Sequence, residues 1–390
     1  MMDVAVVGGG PAGSSAALKA TEKGAKTVIL EEHPEIGIPP HCAGIVCAED
    51  LLKTGFTPPS KVIQAEVDKA LAWYEEYSFE LPLKKKFLIL NRPLFDKHLA
   101  KLAEQRGAEL LLGSKVVGVR RDGSNLRVKI LEHDATRELL CKVVIAADGV
   151  ASRIARMLGL HVSHELAACI QYEITPNPIV EDGLLEVYLG TRYAPGGYAW
   201  VVPAGESARI GLGVRRAKKP AKHYLDKLLH QRAPEAKIIR VMAHPVPVGG
   251  PLPKTYAENL LVVGDAAGHV VPSSGAGIVP ALICGKYAGE VAAEAALKDL
   301  HHSQRELSRY EALWRSHLGG KFEAALKIRR IAEDMPKEDR ELIAQLLRGT
   351  LGEHIKHGRK VRALLYLLLR HPRILKYAKA VIQARRYGLF

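Results

Sequence analysis

The sequence predicts a mixed α/β (α+β) fold: a parallel sheet flanked by helices, interrupted by an inserted antiparallel-sheet domain and followed by a helical carboxy-terminal region. Three observations carry this reading. The apolar run at residues 4–7 ends in the turn Gly8-Gly9-Gly10-Pro11-Ala12-Gly13 and is followed by a helical pattern. A second buried run, Leu260-Leu261-Val262-Val263-Gly264-Asp265, returns late in the chain. Between them, over residues 170–246, the texture changes to short alternating segments punctuated by Gly and Pro.

Taken in order, residues 4–7, a helix over 14–23 and a strand over 27–30 ending in Glu31-Glu32 form one βαβ unit. Gly8 falls where the chain must turn tightly, Gly10 where backbone must approach a pyrophosphate, and Gly13 where helix packs on strand. The amides around Ala12, at the helix amino terminus, face the phosphates, and Glu31 is placed to accept hydrogen bonds from a ribose. This is a Rossmann-like dinucleotide unit, and the motif alone does not separate FAD from NAD. A strand over 87–90 leads into Asn91-Arg92-Pro93, a helix follows over 94–106, and a strand resumes over 107–112. Alternating segments at 116–119 and 126–131 precede a buried strand over 143–147 that stops at Asp148-Gly149. The insert has strands at 185–189, 198–202 and 208–214, and after Gly277 almost everything reads as helix. The expected division is 1–60, 88–165 and 250–296 as a discontinuous dinucleotide domain, 61–87 and 166–249 as the antiparallel-sheet domain, and 297–390 as a basic helical domain.

Composition narrows the class. With 47% hydrophobic and 25% charged residues the chain reads as a folded globular protein. Five cysteines, Cys42, Cys47, Cys141, Cys169 and Cys284, form neither a disulfide framework nor a metal pair, so no metal is expected. The longest apolar runs, 363–369 and 270–283, are short or broken, whereas a spanning helix needs ~20 apolar residues. No leader pattern precedes the first strand, and the expected location is cytoplasmic. The net charge is +14, and no acidic residue follows Glu353. Lys356, Arg359, Lys360, Arg362, Arg370, Arg373, Lys376, Lys379, Arg385 and Arg386 alternate there with Leu364, Leu365, Leu367, Leu368, Ile374, Leu375 and Val381. Such a surface suits anionic lipid headgroups, nucleic acid or an acidic protein such as a ferredoxin, and a solvated helical face accounts for it equally well. No helix-turn-helix spacing or aromatic platform accompanies the charge, so no specific nucleic acid is expected. Peripheral contact with the anionic inner face of the membrane is.

Gly264-Asp265-Ala266-Ala267-Gly268, followed by Pro272-Ser273-Ser274-Gly275-Ala276-Gly277-Ile278, resembles the second fingerprint of the p-hydroxybenzoate hydroxylase-like flavoproteins. Asp148-Gly149 resembles their intervening fingerprint. The resemblance implies FAD, with Asp265 on the ribityl hydroxyls and Gly277 and Ile278 under the flavin. No second G-x-G-x-x-G follows a strand, so reductant must come from a transiently bound donor: a ferredoxin, a reduced nicotinamide or a deazaflavin.

Two further segments are similar to the geranylgeranyl reductase family: Glu35-Ile36-Gly37-Ile38-Pro39-Pro40-His41-Cys42-Ala43-Gly44, and Pro195-Gly196-Gly197-Tyr198-Ala199-Trp200-Val201-Val202-Pro203 with Gly211-Leu212-Gly213. The similarity runs to about residue 296 and is strongest to archaeal members that saturate membrane lipids. It implies a polyprenyl pocket lined by Tyr198, Trp200, Pro203, Gly211 and Gly213. It also implies a cysteine, Cys42, close to the flavin with Ala43 and Ile45, Arg92 at the FAD phosphates or adenine side, and Val116 offering backbone to the adenine. Cys42 could shape the pocket, donate a proton or only pack. Val202 stands where the family has Phe, and Ala43 and Ala276 replace frequent glycines, which leaves the substrate more open than the class. The implied reaction is hydride transfer from FADH2 to a geranylgeranyl C=C bond. A monooxygenase or halogenase on the same fold, and a reductase of a prenyl quinone or prenyl diphosphate, are the alternatives.

Overall fold

The computed structural model describes residues 1–179, 181–298, 303–377 and 387. The chain divides into two compact units. The first comprises Met1–Pro40, Arg92–Glu165 and Val246–Glu323, and the second His41–Asn91, Leu166–Pro245 and the chain from Ala324 onward.

The first unit is organised by a sheet in the order Tyr256–Ala257, Leu260–Val262, Ala135–Ala146, Met2–Val7, Thr27–Leu30 and Glu109–Leu111. Strand Met2–Val7 pairs in parallel on both sides, Val4 opposite Thr27 and Val143, Val7 opposite Leu30 and Ala146. Strands Lys115–Asp122 and Asn125–Glu132 extend it as an antiparallel hairpin. Val4, Val6, Val28, Ile29, Val143, Val144, Ile145 and Leu260 to Val263 are all fully buried. Continuous apolar runs of this kind are what a parallel sheet covered on both faces demands.

Helix Pro11–Glu22 presents small buried residues, Ala12, Gly13, Ala16, Ala17 and Ala20. Helix Ile278–Leu297 packs against it through Gly285 and Gly289, four residues apart. A β-carbon on Gly285 would come within 2.3 Å of the Ala12 carbonyl oxygen, and one on Gly289 within 2.1 Å of that of Ala16. The Ser15 hydroxyl donates to the Leu282 carbonyl at 2.8 Å in the same seam. Further along, helix Gln304–Trp314 sends the Tyr310 hydroxyl to the Val262 carbonyl at 2.8 Å and the Trp314 indole N–H to Thr255 Oγ1 at 2.9 Å.

The second unit is built on an eight-stranded sheet in the order Lys237–Pro247, Leu166–Thr175, Ser207–Val214, Tyr198–Ala204, Leu184–Leu189, Ile63–Tyr74, Tyr77–Leu90 and Ile45–Cys47. One face is closed by helix Ala221–Arg232, whose Leu225 and Leu228 meet Tyr172, Tyr188, Val201, Ile210 and Leu212. Arg232 fixes that helix by a forked pair to buried Glu186, which also accepts from the Tyr188 hydroxyl at 2.6 Å. The other face carries Val67, Ile89, Leu185 and Val202, with half-buried Leu81, Leu83, Phe87, Val187 and Trp200 beside them.

Several features differ from expectation. The insert sheet is not wholly antiparallel, since Leu184–Leu189 pairs in parallel with Ile63–Tyr74. Residues 41–60 sit with the second unit because Ile45–Cys47 pairs with the end of the long strand Tyr77–Leu90. The carboxy-terminal helices do not form a unit of their own. Residues 297–323 belong to the first unit, through contacts such as Tyr310 to Val262, and those from 324 to the second. Lys379, Val381, Arg385 and Arg386 lie outside the described residues. Among the described residues no helix is long and apolar enough to cross a membrane.

Candidate functional site

The nucleotide-cradle residues lie in the first unit. Gly8 turns at a φ of +105°, and a β-carbon there would fall 2.3 Å from the Ala147 carbonyl oxygen. One on Gly13 would fall 1.9 Å from the Gly8 carbonyl oxygen, so strand, turn and helix meet at backbone contact. Gly10 caps the helix without a side-chain hydrogen bond, and nothing lies within 4 Å of where its β-carbon would point. The first turn, which includes Ala12, has amides with no partner inside the helix. An uncapped helix end beside open space is a seat for phosphate.

Glu31 follows the second strand and is nearly buried. Its Oε2 accepts from the Gly9 amide at 2.7 Å, and its Oε1 from the His33 amide at 3.0 Å and lies 2.6 Å from His33 Nδ1. Three of about four acceptor positions are therefore filled from the protein, which holds the carboxylate still and leaves capacity for a ribose hydroxyl. Asp148 accepts from the Ile154 amide at 3.0 Å through Oδ2, while its Oδ1 is buried with no hydrogen-bond partner. Burial pushes its carboxyl upward. An orphaned acceptor at the end of a parallel strand fits a missing polar ligand.

Asp265 sits in the single turn Gly264–Ala267 after the strand Leu260–Val262, and Gly277 with Ile278 begins the helix Ile278–Leu297. A β-carbon on Gly277 would lie 3.4 Å from Asp265 Oδ1, so the aspartate and the helix start adjoin. Val116 is buried in the strand Lys115–Asp122 at a bulge. Arg92 is paired: Nε and Nη2 donate to Asp96 at 3.1 and 2.9 Å, one helical turn on. Burial raises the Asp96 carboxyl while Arg92 opposes that rise.

A separate, aromatic-lined apolar face lies in the second unit. Tyr198 and Trp200 share one face of their strand, as period-two alternation requires, with ring centroids 5.7 Å apart. Register explains the paired glycines. Trp200 is directly opposite Gly211, and Tyr198 is directly opposite Gly213, which is itself opposite Cys169. A β-carbon on Gly211 would lie 2.6 Å from the indole, and one on Gly213 3.0 Å from Cys169 Sγ. Only hydrogen at Gly211 lets the Trp200 indole lie across the neighbouring strand, while at Gly213 the space is taken by Cys169. Pro203 lies on the same strand opposite Ala208, near the turn.

Three residues to which the sequence reading gave no role complete this face. Buried Gln171 accepts from the Trp200 indole N–H at 3.0 Å and so fixes the ring. Arg209, two positions before Gly211 on the same face, donates to the carbonyls of Ala43 at 2.7 Å and Leu90 at 3.1 Å, and pairs with Gln64. It clamps the Cys42–Gly44 turn, where the Gly44 amide donates to Cys42 Sγ at 3.3 Å. Cys169 is the third, and burial pushes its thiol up to about 12, with Cys42 adding to the shift. Burial also raises the Tyr198 hydroxyl, again with Cys169 and Cys42 within electrostatic reach. An arginine inside an otherwise apolar strand was the one visible signal for this group.

Fold and nucleotide cradle together define a FAD-dependent oxidoreductase, and residues 3–162 match the family model of that description. Residues 165–246 match the geranylgeranyl reductase catalytic domain. The digeranylgeranylglycerophospholipid reductase of Methanocaldococcus jannaschii is 35% identical, over 97% of this chain and 98% of its own. A second such reductase, from Methanothermobacter thermautotrophicus, is 39% identical over 97% and 99%. Among solved structures, a geranylgeranyl bacteriochlorophyll reductase-like protein from Thermoplasma acidophilum superposes with a TM-score of 0.83 at 29% identity, over 90% of this chain and 92% of that one. A flavin-dependent brominase, at 15% identity and a TM-score of 0.70, shares the fold. This chain belongs to the geranylgeranyl reductase family, among the digeranylgeranylglycerophospholipid reductases.

Proposed function

We propose that this protein saturates C=C bonds in the geranylgeranyl chains of archaeal-type membrane ether lipid precursors. The observation that carries the reading is the aromatic wall of Tyr198 and Trp200, opposite Gly213 and Gly211 on the neighbouring strand and continued by half-buried Val187, Leu81, Leu83 and Phe87. A long chain with no polar atoms is matched by such a face, and the named activity of full-length relatives points the same way.

The cradle residues suit FAD: the Gly8 to Gly13 amides for pyrophosphate, Glu31 for ribose, and Asp265 with Gly277 and Ile278 toward the flavin end. Each saturated bond gains a hydride and a proton, and bound, reduced FAD is the source of the hydride. The protein's own work is to hold the alkene, keep water away and deliver the proton. An isolated alkene is a weak hydride acceptor, so rigid placement contributes much of the rate. Gln171 holds Trp200, and Arg209 holds the Cys42 turn. Burial makes Tyr198 and Cys169 hold their protons through neutral pH, and the proton for the second carbon comes from Cys42, a tyrosine or the flavin itself. The test is anaerobic: reduced holoprotein is mixed with digeranylgeranylglyceryl phosphate and the flavin absorbance followed. Reoxidation that needs the unsaturated lipid supports the reading. Reoxidation that needs oxygen, with a hydroxylated or halogenated product, rejects it for the monooxygenase alternative.

The same reading includes peripheral contact with an anionic bilayer. Helix Lys360–Arg370 buries Ala363 and Leu367 against Leu346, Leu351 and Ile374. Its other side exposes Val361, Leu364, Leu365, Leu368 and Leu369, the last 79% accessible. This second apolar stripe is flanked by Arg359, Arg362 and Arg370, and no acidic residue follows Glu353 in the sequence, while Arg373 pairs with Asp339 at 3.2 Å. Aliphatic side chains bordered by arginines complement anionic headgroups over acyl chains.

A further inference from the structure

Beside the aromatic wall, one face of the second unit's sheet carries a row of titratable side chains. Tyr198 is directly opposite Gly213, and Gly213 directly opposite Cys169, so the three lie in line across neighbouring strands. The Cys169 thiol fills the space over that glycine, with Sγ 3.0 Å from where a β-carbon on Gly213 would lie, and it donates to the Ala167 carbonyl at 3.9 Å. Strand Lys237–Pro247 extends the row, since it forms the edge of the sheet beside Leu166–Thr175. Gln171 donates to Met242 Sδ at 3.6 Å, and Glu173 lies 3.8 Å from Arg240. These contacts advance along one strand as they retreat along the other. The pair therefore runs antiparallel, and the next step of two residues sets His244 beside Cys169. Side chains facing each other in such a pair have β-carbons about 5 Å apart.

His244 is half-buried and stacks on His41, with ring centroids 4.7 Å apart and planes tilted by 31°. His41 is exposed, and the next residue in the chain is Cys42, which acts electrostatically on both Cys169 and Tyr198. The titratable and charged groups around the two imidazoles on this face are thus Cys169, Tyr198, Glu173 and Arg240 from the sheet and Cys42 from the turn. The series runs inward from solvent: His41, His244, Cys169, Tyr198. A thiol or phenol that burial keeps protonated is a ready donor, but the anion it leaves is strongly basic and must be refilled before another bond is saturated. Imidazole is the side chain that exchanges protons with water near neutrality.

We infer that His41 and His244 form a proton relay that runs through Cys169 to Tyr198, and that Tyr198 gives the proton to the second carbon of the alkene. The inference rests on the reductase reading above and supplies its proton path. As the hydride reaches one carbon, the Tyr198 O–H bond breaks and a C–H bond forms at the other. The phenolate takes the proton of the Cys169 S–H, the thiolate takes one from the His244 imidazolium, and the histidine pair is refilled from water at His41. No electrons move along the row, so it needs neither oxidant nor reductant.

The test uses FAD-loaded full-length protein turning over digeranylgeranylglyceryl phosphate anaerobically with excess dithionite. His244→Gln keeps a polar side chain of similar size that exchanges no proton. It should lower kcat by about tenfold to a hundredfold with KM within about twofold, and added imidazole should restore much of the rate. His41→Gln should show the same loss, and the double variant no more than either alone, because the two act in series. In Tyr198→Phe, which keeps the ring but not the hydroxyl, His244→Gln should cost nothing further. Three results overturn the relay: an unchanged kcat in His244→Gln, a loss that imidazole does not restore, and an equal fold-loss with and without the Tyr198 hydroxyl. The second of these, accompanied by a lower unfolding temperature, marks His244 as a packing residue. Wild type that saturates no lipid removes the reductase reading and the relay with it. Wild type that saturates the lipid while any of the three results holds removes the relay alone.

Discussion

The indole of Trp200 lies across Gly211 on the adjacent strand, so close that a single added β-carbon would come within 2.6 Å of the ring. The wall that would hold a prenyl chain is therefore specified as much by a missing side chain as by a present one. Gly211→Ala must push the indole off Gln171 and out of plane. We expect kcat/KM on a geranylgeranyl lipid to fall roughly tenfold to a hundredfold, as a misplacement of about 1 Å commonly does. Flavin content, read from absorbance, should stay near one per chain because the cradle lies elsewhere in the sequence.

The opposite pattern is expected at Gly289. Its backbone touches Ala16 in the helix that follows the glycine turn, and it carries no part of the apolar wall. Gly289→Leu overpacks that seam and should cost about 1–3 kcal/mol in urea unfolding. FAD retention should fall in step, while the KM for lipid measured with excess FAD stays unchanged.

His269 gives a pH dependence. Its ring is fully buried among Trp314, Phe322 and Tyr310, neither nitrogen has a hydrogen-bond partner, and burial with nearby Arg315 lowers its pKa to about 3. An unfolded histidine titrates near 6.5, so between those values the unfolded chain binds the extra proton. Its contribution is therefore intact above pH 6.5 and is lost progressively as the pH falls toward 3, by at most about 1.4 kcal/mol per pH unit. His269→Phe should flatten that part of the acid limb in thermal unfolding measured from pH 7 to pH 4.5. An unchanged slope would mean the ring is protonated in the folded state.

The exposed stripe of helix Lys360–Arg370 makes a prediction about lipid surfaces. Wild type should float with liposomes rich in anionic lipid, less so as salt rises, because the charge component is screened over about 10 Å at 0.1 M. Val361→Ser with Leu365→Ser and Leu369→Ser should abolish flotation at moderate salt without changing thermal stability much, since these side chains are already in water. Flotation unaffected by the triple variant assigns the contact to another face.

What the sequence disclosed follows from how local each signal is. The turn from Gly8 to Gly13 and its acid at Glu31 were legible because a phosphate cradle is a backbone feature written in one βαβ unit. Tyr198, Trp200, Gly211 and Gly213 were legible as a pattern, but the reason for the glycines was not, because it lies in which residue faces which across two strands. Gln171 and Cys169 depend on the same register and had no local mark. The strand Tyr77–Leu90 was legible only over 87–90, because Lys84-Lys85-Lys86 interrupts the apolar alternation before it. Helix Ala221–Arg232 was hidden because it buries only Leu225 and Leu228. The pairing of Arg92 with Asp96, one turn on in the same helix, was open to reading from the spacing but was not drawn from it.

The most direct test of the central claim is the mass of the lipid after incubation with reduced holoprotein. Digeranylgeranylglyceryl phosphate supplied under anaerobic conditions with dithionite should gain two hydrogens for each bond saturated, and the gain should be lost in Gly211→Ala. A lipid recovered at its original mass from protein with full, reduced FAD would contradict the assignment.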